Sequence, residues 1–213
     1  MRRLVIATRN RGKLREIAEL LRSSGLDVSV CSLDEYPEAP EVEETGATFP
    51  ENAAIKARSA AEHANELALA DDSGLVVDAL GGAPGVMSAR YAGPGASDQT
   101  RYERLLREME HVPDGLRTAR FVCAVAVAVP HGRVAIVEGS VEGVIEREPR
   151  GEGGFGYDPV FFLPELGATF GELDSKAKNA ISHRARALTK SIPLLREALD
   201  RGSDAFDSRR GVW

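Results

Sequence analysis

The opening 31 residues carry the pattern of a strand, a helix and a second strand, and this pattern favours folds built on a parallel sheet. An apolar run at residues 3–7 predicts the first strand, and the polar residues from Thr8 to Gly12 predict a loop. Residues 13–23 repeat apolar side chains at helical spacing, and Gly25 marks the predicted helix end. Residues 28–31 predict the second strand. A strand, helix and strand in this order are typical of an α/β core.

An acidic, proline-containing segment, residues 33–47, separates this opening from a second predicted helix. That helix begins at Thr48, where Glu51 three positions later forms a capping-box pattern, and it extends to about Glu66. Its interior is rich in alanine, so we expect another element to pack closely against it. A third helix is predicted over about residues 97–110.

The second half of the chain predicts an antiparallel meander. Residues from Arg117 to Val129 form a long β-rich run, His131-Gly132 predicts a turn, and strand character continues to Ile145. The expected fold class is therefore α/β, with a mixed central sheet flanked by helices.

The C-terminal part is predicted to be helical. Pro193 predicts a break there, and Ser191 is the expected N-cap of a last helix that ends at Gly202. Residues from about 203 to 213 are expected to form a frayed tail.

Composition limits the class of protein. The chain has 213 residues, of which 43% are hydrophobic, enough for one globular domain with a full core. A net charge of −6 argues against a nucleic-acid partner, and no apolar run approaches the ~20 residues that a membrane helix needs. Cys31 and Cys123 lack metal-ligand spacing and are expected to be free thiols in a reducing compartment. Because Met1 leads directly into a strand, no signal peptide is expected and a cytoplasmic location is predicted.

Asp71 and Asp72 stand between two apolar runs. Residues 67–70 predict a short buried strand, and apolar character resumes at Leu75. Two carboxylates in such surroundings are costly unless cations or hydrogen-bond donors pair with them. Metal binding or general-base chemistry would account for them, so the pair predicts an enzyme. The residues alone do not say which of the two aspartates carries the chemistry.

The loop from Thr8 to Lys13 lies between a predicted strand and a predicted helix. A helix N-terminus offers backbone N–H groups and a positive dipole, and Lys13 adds a charge, which suits a phosphate. The segment lacks the first glycine of a Walker A loop and has Leu14 where that motif has Ser or Thr. An ordinary polar turn with a solvated basic face is the alternative.

Residues 151–156 match the glycine spacing of a dinucleotide-binding loop. No helix follows and no strand–helix–strand unit surrounds them, so we reject that match. The loop instead places Phe155, Tyr157 and Asp158 close together, and an aromatic ring beside an acid suits stacking on a base and hydrogen bonding to its edge. The alternative is a glycine-rich hairpin with a buried aromatic side chain.

Two further clusters are candidates for a nucleotide site. Glu43-Glu44 could join Asp71-Asp72 in a Mg²⁺ site, because Mg²⁺ needs only one or two carboxylates besides substrate phosphates. An exposed acidic loop is the alternative for the glutamates. Lys178, His183 and Arg184 lie within two predicted helical turns and suit phosphate oxygens or a purine carbonyl, or else form a solvated helix face.

Taken together, these segments resemble the inosine/xanthosine triphosphate pyrophosphatases, also called XTP/dITP diphosphatases. The resemblance runs in order from residue 4 to about residue 200. It is carried by Thr8-Arg-Asn-Arg-Gly-Lys13, Glu43-Glu44-Thr-Gly-Ala-Thr-Phe-Pro-Glu-Asn-Ala, Ala70-Asp-Asp-Ser-Gly, Leu80-Gly-Gly-Ala-Pro-Gly-Val, Ser88-Ala-Arg-Tyr, Gly153-Gly-Phe-Gly-Tyr-Asp-Pro and Ala180-Ile-Ser-His-Arg.

The resemblance implies an activity and an architecture. We expect hydrolysis of dITP, ITP and XTP to the monophosphate and pyrophosphate, with Mg²⁺ as cofactor, which removes deaminated purines from the nucleotide pool. We also expect residues 1–213 to form one catalytic domain that is elongated and has two lobes with a substrate cleft between them, and the protein to be a homodimer.

The resemblance also implies a role for each matching residue. Asp72 would be the proton acceptor, Glu43 and Asp72 would hold the metal, and Ser73 would contact the substrate. The expected phosphate contacts are Thr8, Arg9, Asn10, Arg11, Gly12, Lys13 and Lys56. The expected base pocket comprises Phe155, Gly156, Tyr157, Asp158, Lys178, His183 and Arg184. The chain departs from the family pattern in the basic residues Arg9 and Arg11 and in lacking an acidic residue just before Lys178.

Two other functional classes are compatible with parts of this pattern. A nucleotide-dependent kinase is disfavoured by the failed Walker A and dinucleotide matches. A non-catalytic sensor of purine nucleotides would use the base pocket but would have no need of Asp72 beside a metal.

Overall fold

The computed structural model describes residues 2–206, and a seven-stranded sheet runs through them. The strand order in the sheet is β2-β1-β3-β4-β5-β6-β7. The strands are β1 (Arg2–Ile6), β2 (Val28–Ser32), β3 (Leu67–Val77), β4 (Thr118–Ala128), β5 (Val134–Ile145), β6 (Phe161–Leu163) and β7 (Ala168–Thr169). The α-helices are α1 (Arg11–Ser23), α2 (Phe49–Ala64), α3 (Asp98–Glu108), α4 (Ser175–Ile181) and α5 (His183–Arg201).

The predicted parallel opening is confirmed. Strand β1 pairs in parallel with β2 on one side and with β3 on the other, with Val5 opposite Cys31 and Ala68. Helix α1 begins two residues earlier than predicted, because Asn10 caps it and its side chain accepts the N–H groups of Gly12 and Lys13. The end of the predicted loop is therefore the first turn of the helix.

Helix α2 begins where the sequence predicts and ends slightly earlier. The Thr48 side chain accepts the Glu51 N–H, whereas the Glu51 carboxylate reaches past Thr48 to the Ala47 N–H. The helix ends at Ala64, because Asn65 adopts a left-handed conformation. Four of its six alanines are buried, and the helix packs against β1 as the small side chains predict.

The pair of aspartates does not end a strand. Strand β3 is continuous over eleven residues and passes through both Asp71 and Asp72. The predicted strand of residues 67–70 is therefore shorter than the observed one. The strand can continue because both carboxylates have cationic partners inside the fold and do not need a solvent-exposed loop.

The antiparallel half of the sheet is built from local connections. The link between β4 and β5, residues 129–133, is too short for a parallel crossover, and His131 turns the chain with a positive φ of 54°. Strand β5 pairs antiparallel with β6, and β6 with β7. The predicted meander and the predicted α/β fold class are confirmed.

The described residues form two compact units, each with its own core. The first unit comprises residues 2–72, Cys123–Gly139 and 184–206, and Ile17 of α1 and Leu195 of α5 lie in its core with strand residues such as Leu69. The second unit comprises Ser73–Val122 and Ser140–His183. Its core includes three phenylalanines, Phe121, Phe161 and Phe170, whose ring centroids are 4.6–5.8 Å apart. No helix in the described part of the chain is both long and apolar enough to span a bilayer.

The predicted break at Pro193 is wrong, because α5 continues through it to Arg201. Ser191 is inside this helix, and its hydroxyl donates to the Leu188 carbonyl instead of capping a new helix. Leu188 and Leu195 are buried on the same helix, so core packing outweighs the lost N–H of the proline.

The predicted frayed tail is wrong for the last residues that the structure describes. Ala205 and Phe206 are buried in the first core, and the Phe206 backbone is bonded to Glu197 and Arg133. Residues 207–213 of the predicted tail lie outside the described residues.

Replacing Pro193 should stabilise the protein. Pro193 is exposed inside a helix, so Pro193→Ala adds a backbone N–H donor without opening a cavity. We expect the free energy of unfolding to rise by about 1–3 kcal/mol, measured by urea denaturation. Arg196→Ala, at another exposed position of α5, is the control and should change stability by no more than about 0.5 kcal/mol. A loss of stability in Pro193→Ala would show that the core requires the proline.

Candidate active site

Strand alternation separates Asp71 from Asp72. Successive side chains of a strand point to opposite faces of the sheet. Asp71 therefore contacts residues of α1 and α5, while Asp72 contacts residues of α2. The two neighbours in sequence belong to different clusters of the first unit.

Asp71 is the centre of a buried ion-pair cluster. Its Oδ2 lies 3.0 Å from Lys13 Nζ and 3.3 Å from Arg184 Nε, and its side chain is fully buried. The Arg184 guanidinium is also almost fully buried and donates to Glu16 of α1. These contacts connect β3 to both helices on this side of the sheet.

The cations around Asp71 keep it ionised. Burial on its own would raise the pKa of Asp71, but Lys13 and Arg184 outweigh that effect and lower the pKa well below its usual range. Burial disfavours the charged form of Arg184 too, yet Asp71 and Glu16 raise its pKa above the usual value. The cluster is therefore charged at neutral pH.

Cys123 lies at the edge of the same cluster and is not a nucleophile. Its Sγ is 4.0 Å from Asp71 Oδ2. Burial, reinforced by the Asp71 charge, raises the pKa of this thiol to about 12, so it stays protonated at neutral pH. Both cysteines are free and buried, as the sequence predicts.

Asp72 lies in a second cluster, which α2 provides. Lys56 Nζ is 3.0 Å from Asp72 Oδ1 and 2.6 Å from Glu44 Oε1. The Asn52 side chain lies one turn before Lys56, and its Nδ2 is 3.4 Å from Asp72 Oδ2. The side-chain Oδ1 of Asn52 accepts the Gly46 N–H at 2.8 Å, which fixes the loop that carries Glu44.

Burial changes the acidity of this cluster. It raises the pKa of Asp72, with Lys56 opposing the shift and Glu44 adding to it. The pKa of Lys56 is also raised, because Asp72, Asp71 and Glu44 outweigh the effect of its burial. Asp72 is thus a stronger base than an exposed aspartate, beside a lysine that keeps its charge.

Of the two glutamates in the acidic loop, Glu44 contacts the Asp72 cluster, and the metal role expected of Glu43 stays a prediction. Glu43 is exposed, whereas Glu44 turns toward α2 and pairs with Lys56. The anchor between Gly46 and Asn52 sets which of the two neighbours faces the helix. A Cβ atom on Gly46 would lie 2.7 Å from Asn52 Oδ1, so this approach requires glycine.

The predicted phosphate loop is basic but already well bonded. Asn10 Oδ1 occupies the N–H groups of Gly12 and Lys13, and Thr8 Oγ1 accepts the N–H of Asn10 itself. The side chain of Arg9 donates to the Ala39 carbonyl, and Arg11 is exposed in the first turn of α1. An anion here would be bound mainly by side-chain charge, because the cap uses two of the N–H groups that the prediction counted on.

The glycine-rich loop of the second unit is fixed by Asp158. Asp158 is buried, and its Oδ2 accepts the Phe155 N–H at 2.8 Å and bonds to Lys178 Nζ at 2.6 Å. Lys178 is buried as well, and its Nζ is 4.5 Å from the centre of the Phe155 ring. The structure thus brings together Phe155, Asp158 and Lys178, as predicted.

Two residues absent from the prediction anchor the rest of this loop. The Gly156 N–H donates to Asp98 Oδ2 at 2.8 Å, and the Tyr157 hydroxyl donates to the Ser88 carbonyl at 2.9 Å. Gly154 cannot be replaced by a larger residue, since a Cβ there would lie 2.0 Å from Asp158. Ser73 follows Asp72 on β3 and is the first residue of the second unit.

Lys178, His183 and Arg184 do not share one helix face. Helix α4 ends at Ile181 and Ser182 is extended, so the chain changes direction between Lys178 and His183. His183 stacks on Phe121 with ring centroids 4.7 Å apart, and Arg184 belongs to the Asp71 cluster of the first unit. The prediction that Arg184 joins Lys178 in one pocket therefore finds no support in these contacts.

The donor set near Asp72 fits a hard cation. Among the described residues no group of three or more His, Cys, Asp or Glu side chains could hold a metal ion. Glu44 and Asp72 nevertheless share one cationic group, the Lys56 ammonium, and two carboxylates are sufficient for Mg²⁺ when substrate phosphates complete its coordination.

The residues that sequence reasoning missed make long-range polar contacts. They are Glu16, Ser88, Asp98 and Asn52. Asn52 carries a local signal, because asparagine in the middle of an alanine-rich helix is a poor helix former and suggests a polar task.

Removing the charge of Asp71 should destabilise the fold. Asp71→Asn removes the buried counter-ion that Lys13 and Arg184 share, and we expect a loss of about 3–5 kcal/mol at neutral pH in denaturant unfolding. The folded-state pKa lies below the usual 3.8, so the Asp71 contribution is complete above that pH and is lost as pH falls through the folded pKa. The difference between wild type and variant should shrink correspondingly in acid.

Asp78→Asn is the matched control for this measurement. Asp78 pairs with Arg120 on the surface, where both side chains are partly exposed. We expect a much smaller loss for this variant, since solvent screens exposed pairs. Equal losses in the two variants would contradict the central role of Asp71.

Comparisons with known proteins agree with this arrangement. A sequence profile described as "Ham1 family" matches residues 4–194. The dITP/XTP pyrophosphatase of Geobacillus kaustophilus is 56% identical over 190 residues, which cover 89% of this chain and 92% of that protein. The dITP/XTP pyrophosphatase of Geobacter sulfurreducens is 57% identical over 188 residues, 88% of this chain and 94% of that protein. The solved structure of a HAM1 protein from Coxiella burnetii superimposes with a TM-score of 0.85 at 46% identity, covering 93% of this chain and all of that one. The chain belongs to the Ham1 family.

Proposed function

We propose that the chain is a Mg²⁺-dependent pyrophosphohydrolase that cleaves dITP, ITP and XTP to the monophosphate and pyrophosphate. Relatives more than half identical over most of its length are named dITP/XTP pyrophosphatases. The observation that carries the proposal is the cluster in which Lys56 and Asn52 hold both oxygens of a buried, unusually basic Asp72.

Asp72 is proposed as the proton acceptor for the attacking water. Its Oδ1 is bonded to Lys56, so Oδ2, which Asn52 contacts only at 3.4 Å, is the oxygen with capacity for a proton. A general base contributes about 10²–10⁴-fold, and it works best when its pKa approaches the working pH, the direction in which burial moves Asp72. Asn52 orients the carboxylate for this step.

The first unit also supplies charge for the triphosphate. Lys13, held by Asp71, and Lys56 supply largely buried ammonium groups, and Arg9 and Arg11 add exposed positive charge. Glu44 and Asp72 would hold Mg²⁺, which when bound neutralises phosphate charge and acidifies water. Glu44 takes the place that the sequence predicted for Glu43.

The second unit supplies the groups that would select the base. Lys178 is a buried donor beside the Phe155 ring, and a ring of this kind can stack on a purine. Hypoxanthine and xanthine have a carbonyl at C6, which accepts a hydrogen bond, whereas the amino group of adenine would leave the donor unpaired. This difference favours deaminated purines over ATP.

Two further properties are proposed. The family resemblance supports a homodimer, and the buried free thiols support a reducing compartment such as the cytoplasm.

Asp72→Asn should remove nearly all turnover and leave the fold intact. The amide keeps the shape of the carboxylate but cannot accept the proton, so we expect kcat for ITP to fall by at least about 10²-fold. The kcat is measured by the release of pyrophosphate from ITP in the presence of Mg²⁺, and the fold is checked by circular dichroism. Asp34→Asn, at an exposed position, is the control. Wild-type protein that binds ITP without releasing pyrophosphate would instead favour a nucleotide sensor.

The wild-type protein should prefer ITP to ATP by about 100-fold or more in kcat/KM, because ATP leaves the Lys178 donor unpaired. The double variant Lys178→Met with Asp158→Asn removes this donor without leaving a buried charge. We expect it to lose activity on ITP while its activity on ATP changes little, so that the preference collapses. Equal rates on ITP and ATP in the wild type would contradict the proposed base pocket.

A further inference from the structure

One ammonium group bridges the two carboxylates that are proposed to hold the metal. Lys56 Nζ lies 2.6 Å from Glu44 Oε1 and 3.0 Å from Asp72 Oδ1, and all three side chains are at least three-quarters buried. Glu44 and Asp72 are far apart in sequence, on a loop and on β3. Lys56 is therefore the group through which these two acids are held together.

Helix α2 gives Lys56 a defined place in this cluster. Asn52 and Lys56 are four residues apart and so share one face of the helix. The Asn52 amide contacts Asp72 Oδ2 and the Lys56 ammonium contacts Oδ1, so each oxygen of the carboxylate has its own donor from the same helix. Lys56 is thus built into the cluster in the same way as Asn52 and is not a surface lysine that reaches it by chance.

We propose that Lys56 is an internal counter-ion that occupies the cation position of the Glu44–Asp72 pair until nucleotide binds. Glu44 and Asp72 would hold a divalent cation, and Lys56 would then lose its place between the two carboxylates. The ammonium that is released needs a new anionic partner, and the oxygens of a triphosphate provide one. The counter-ion role of Lys56 concerns the protein without nucleotide. The transfer of its ammonium group to a triphosphate rests on the proposed function.

This arrangement couples the binding of metal and nucleotide. Metal alone must displace an ammonium from buried carboxylates and leave that ammonium without a partner, which weakens metal binding. When the triphosphate is present it accepts the displaced charge, so metal and nucleotide strengthen each other's binding. Lys56 would thus favour binding of the metal together with the substrate over binding of the metal alone.

The test is to measure metal and nucleotide binding separately in wild type and in Lys56→Met. Mn²⁺ alone, followed by electron paramagnetic resonance and calorimetry, should bind the variant about tenfold more tightly, a typical size for coupled sites. ITP in the presence of a chelator should bind the variant more weakly. Thermal unfolding of the metal-free variant should occur at a lower temperature than in wild type, because the two carboxylates then repel each other, and Mg²⁺ should recover most of the loss.

The opposite signs of the two affinity changes distinguish this role from the simpler ones. A lysine that only binds phosphate would leave the affinity for Mn²⁺ alone unchanged, and one that only stabilises the fold would weaken both; either result overturns the proposal. Lys56→Arg keeps the positive charge and should keep Mn²⁺ binding weak. Lys190→Met is the matched control, since Lys190 is exposed and donates to the Glu138 carbonyl; it should change neither affinity.

The outcome does not depend on hydrolysis. If Lys56→Met fails to fold, Lys56→Gln, which keeps a hydrogen-bond donor but not the charge, decides with the same measurements. Tighter Mn²⁺ binding in a protein that does not hydrolyse ITP would support the counter-ion role and refute the proposed function. Unchanged Mn²⁺ binding in the variant, together with ITP hydrolysis by the wild type, would refute the counter-ion role and support the proposed function.

Discussion

The first unit depends on a buried carboxylate that is shared by two cations. Removing Asp71, Lys13 and Arg184 from water is costly, and only close pairing inside the protein offsets that cost. Because Lys13 comes from α1 and Arg184 from α5, this pairing fixes both helices against β3. The same constraint lets β3 run through two adjacent charges without interruption.

The pleat of β3 converts this structural device into a functional one. With Asp71 turned toward α1 and α5, its neighbour must face the other side, where Asn52 and Lys56 of α2 meet it. The two aspartates therefore have different roles. Asp71 is buried and charged and fixes α1 and α5 against β3, whereas Asp72 has a raised pKa and is slightly exposed. The two aspartates can differ in this way because they lie on opposite faces of β3.

The sequence predicted the parallel opening and the antiparallel meander because periodicity and turn residues are local signals. It was wrong at Pro193, where the buried leucines of α5 outweigh the local preference of proline. Sequence spacing does not show which of two neighbours turns inward or where a helix breaks, so it could not show that Glu44 pairs with Lys56 or that Arg184 pairs with Asp71. Such choices depend on partners that are distant in sequence, such as Asn52 for the acidic loop and Asp71 for Arg184.

The site could still be located from residues that violate local preferences. A strand that contains two adjacent aspartates and an alanine-rich helix that contains Asn52 are each unfavourable when considered alone. In the folded chain Asn52 and Asp72 contact each other. The Asn52 amide donates to the Asp72 carboxylate, so each group gains a hydrogen-bond partner. Pro193 violates a local rule as well, but it is exposed and meets no polar partner among the described residues. A polar, buried residue that violates a local preference therefore points to a polar cluster in the fold, structural at Asp71 and proposed as catalytic at Asp72, because only a second polar group can compensate for its burial.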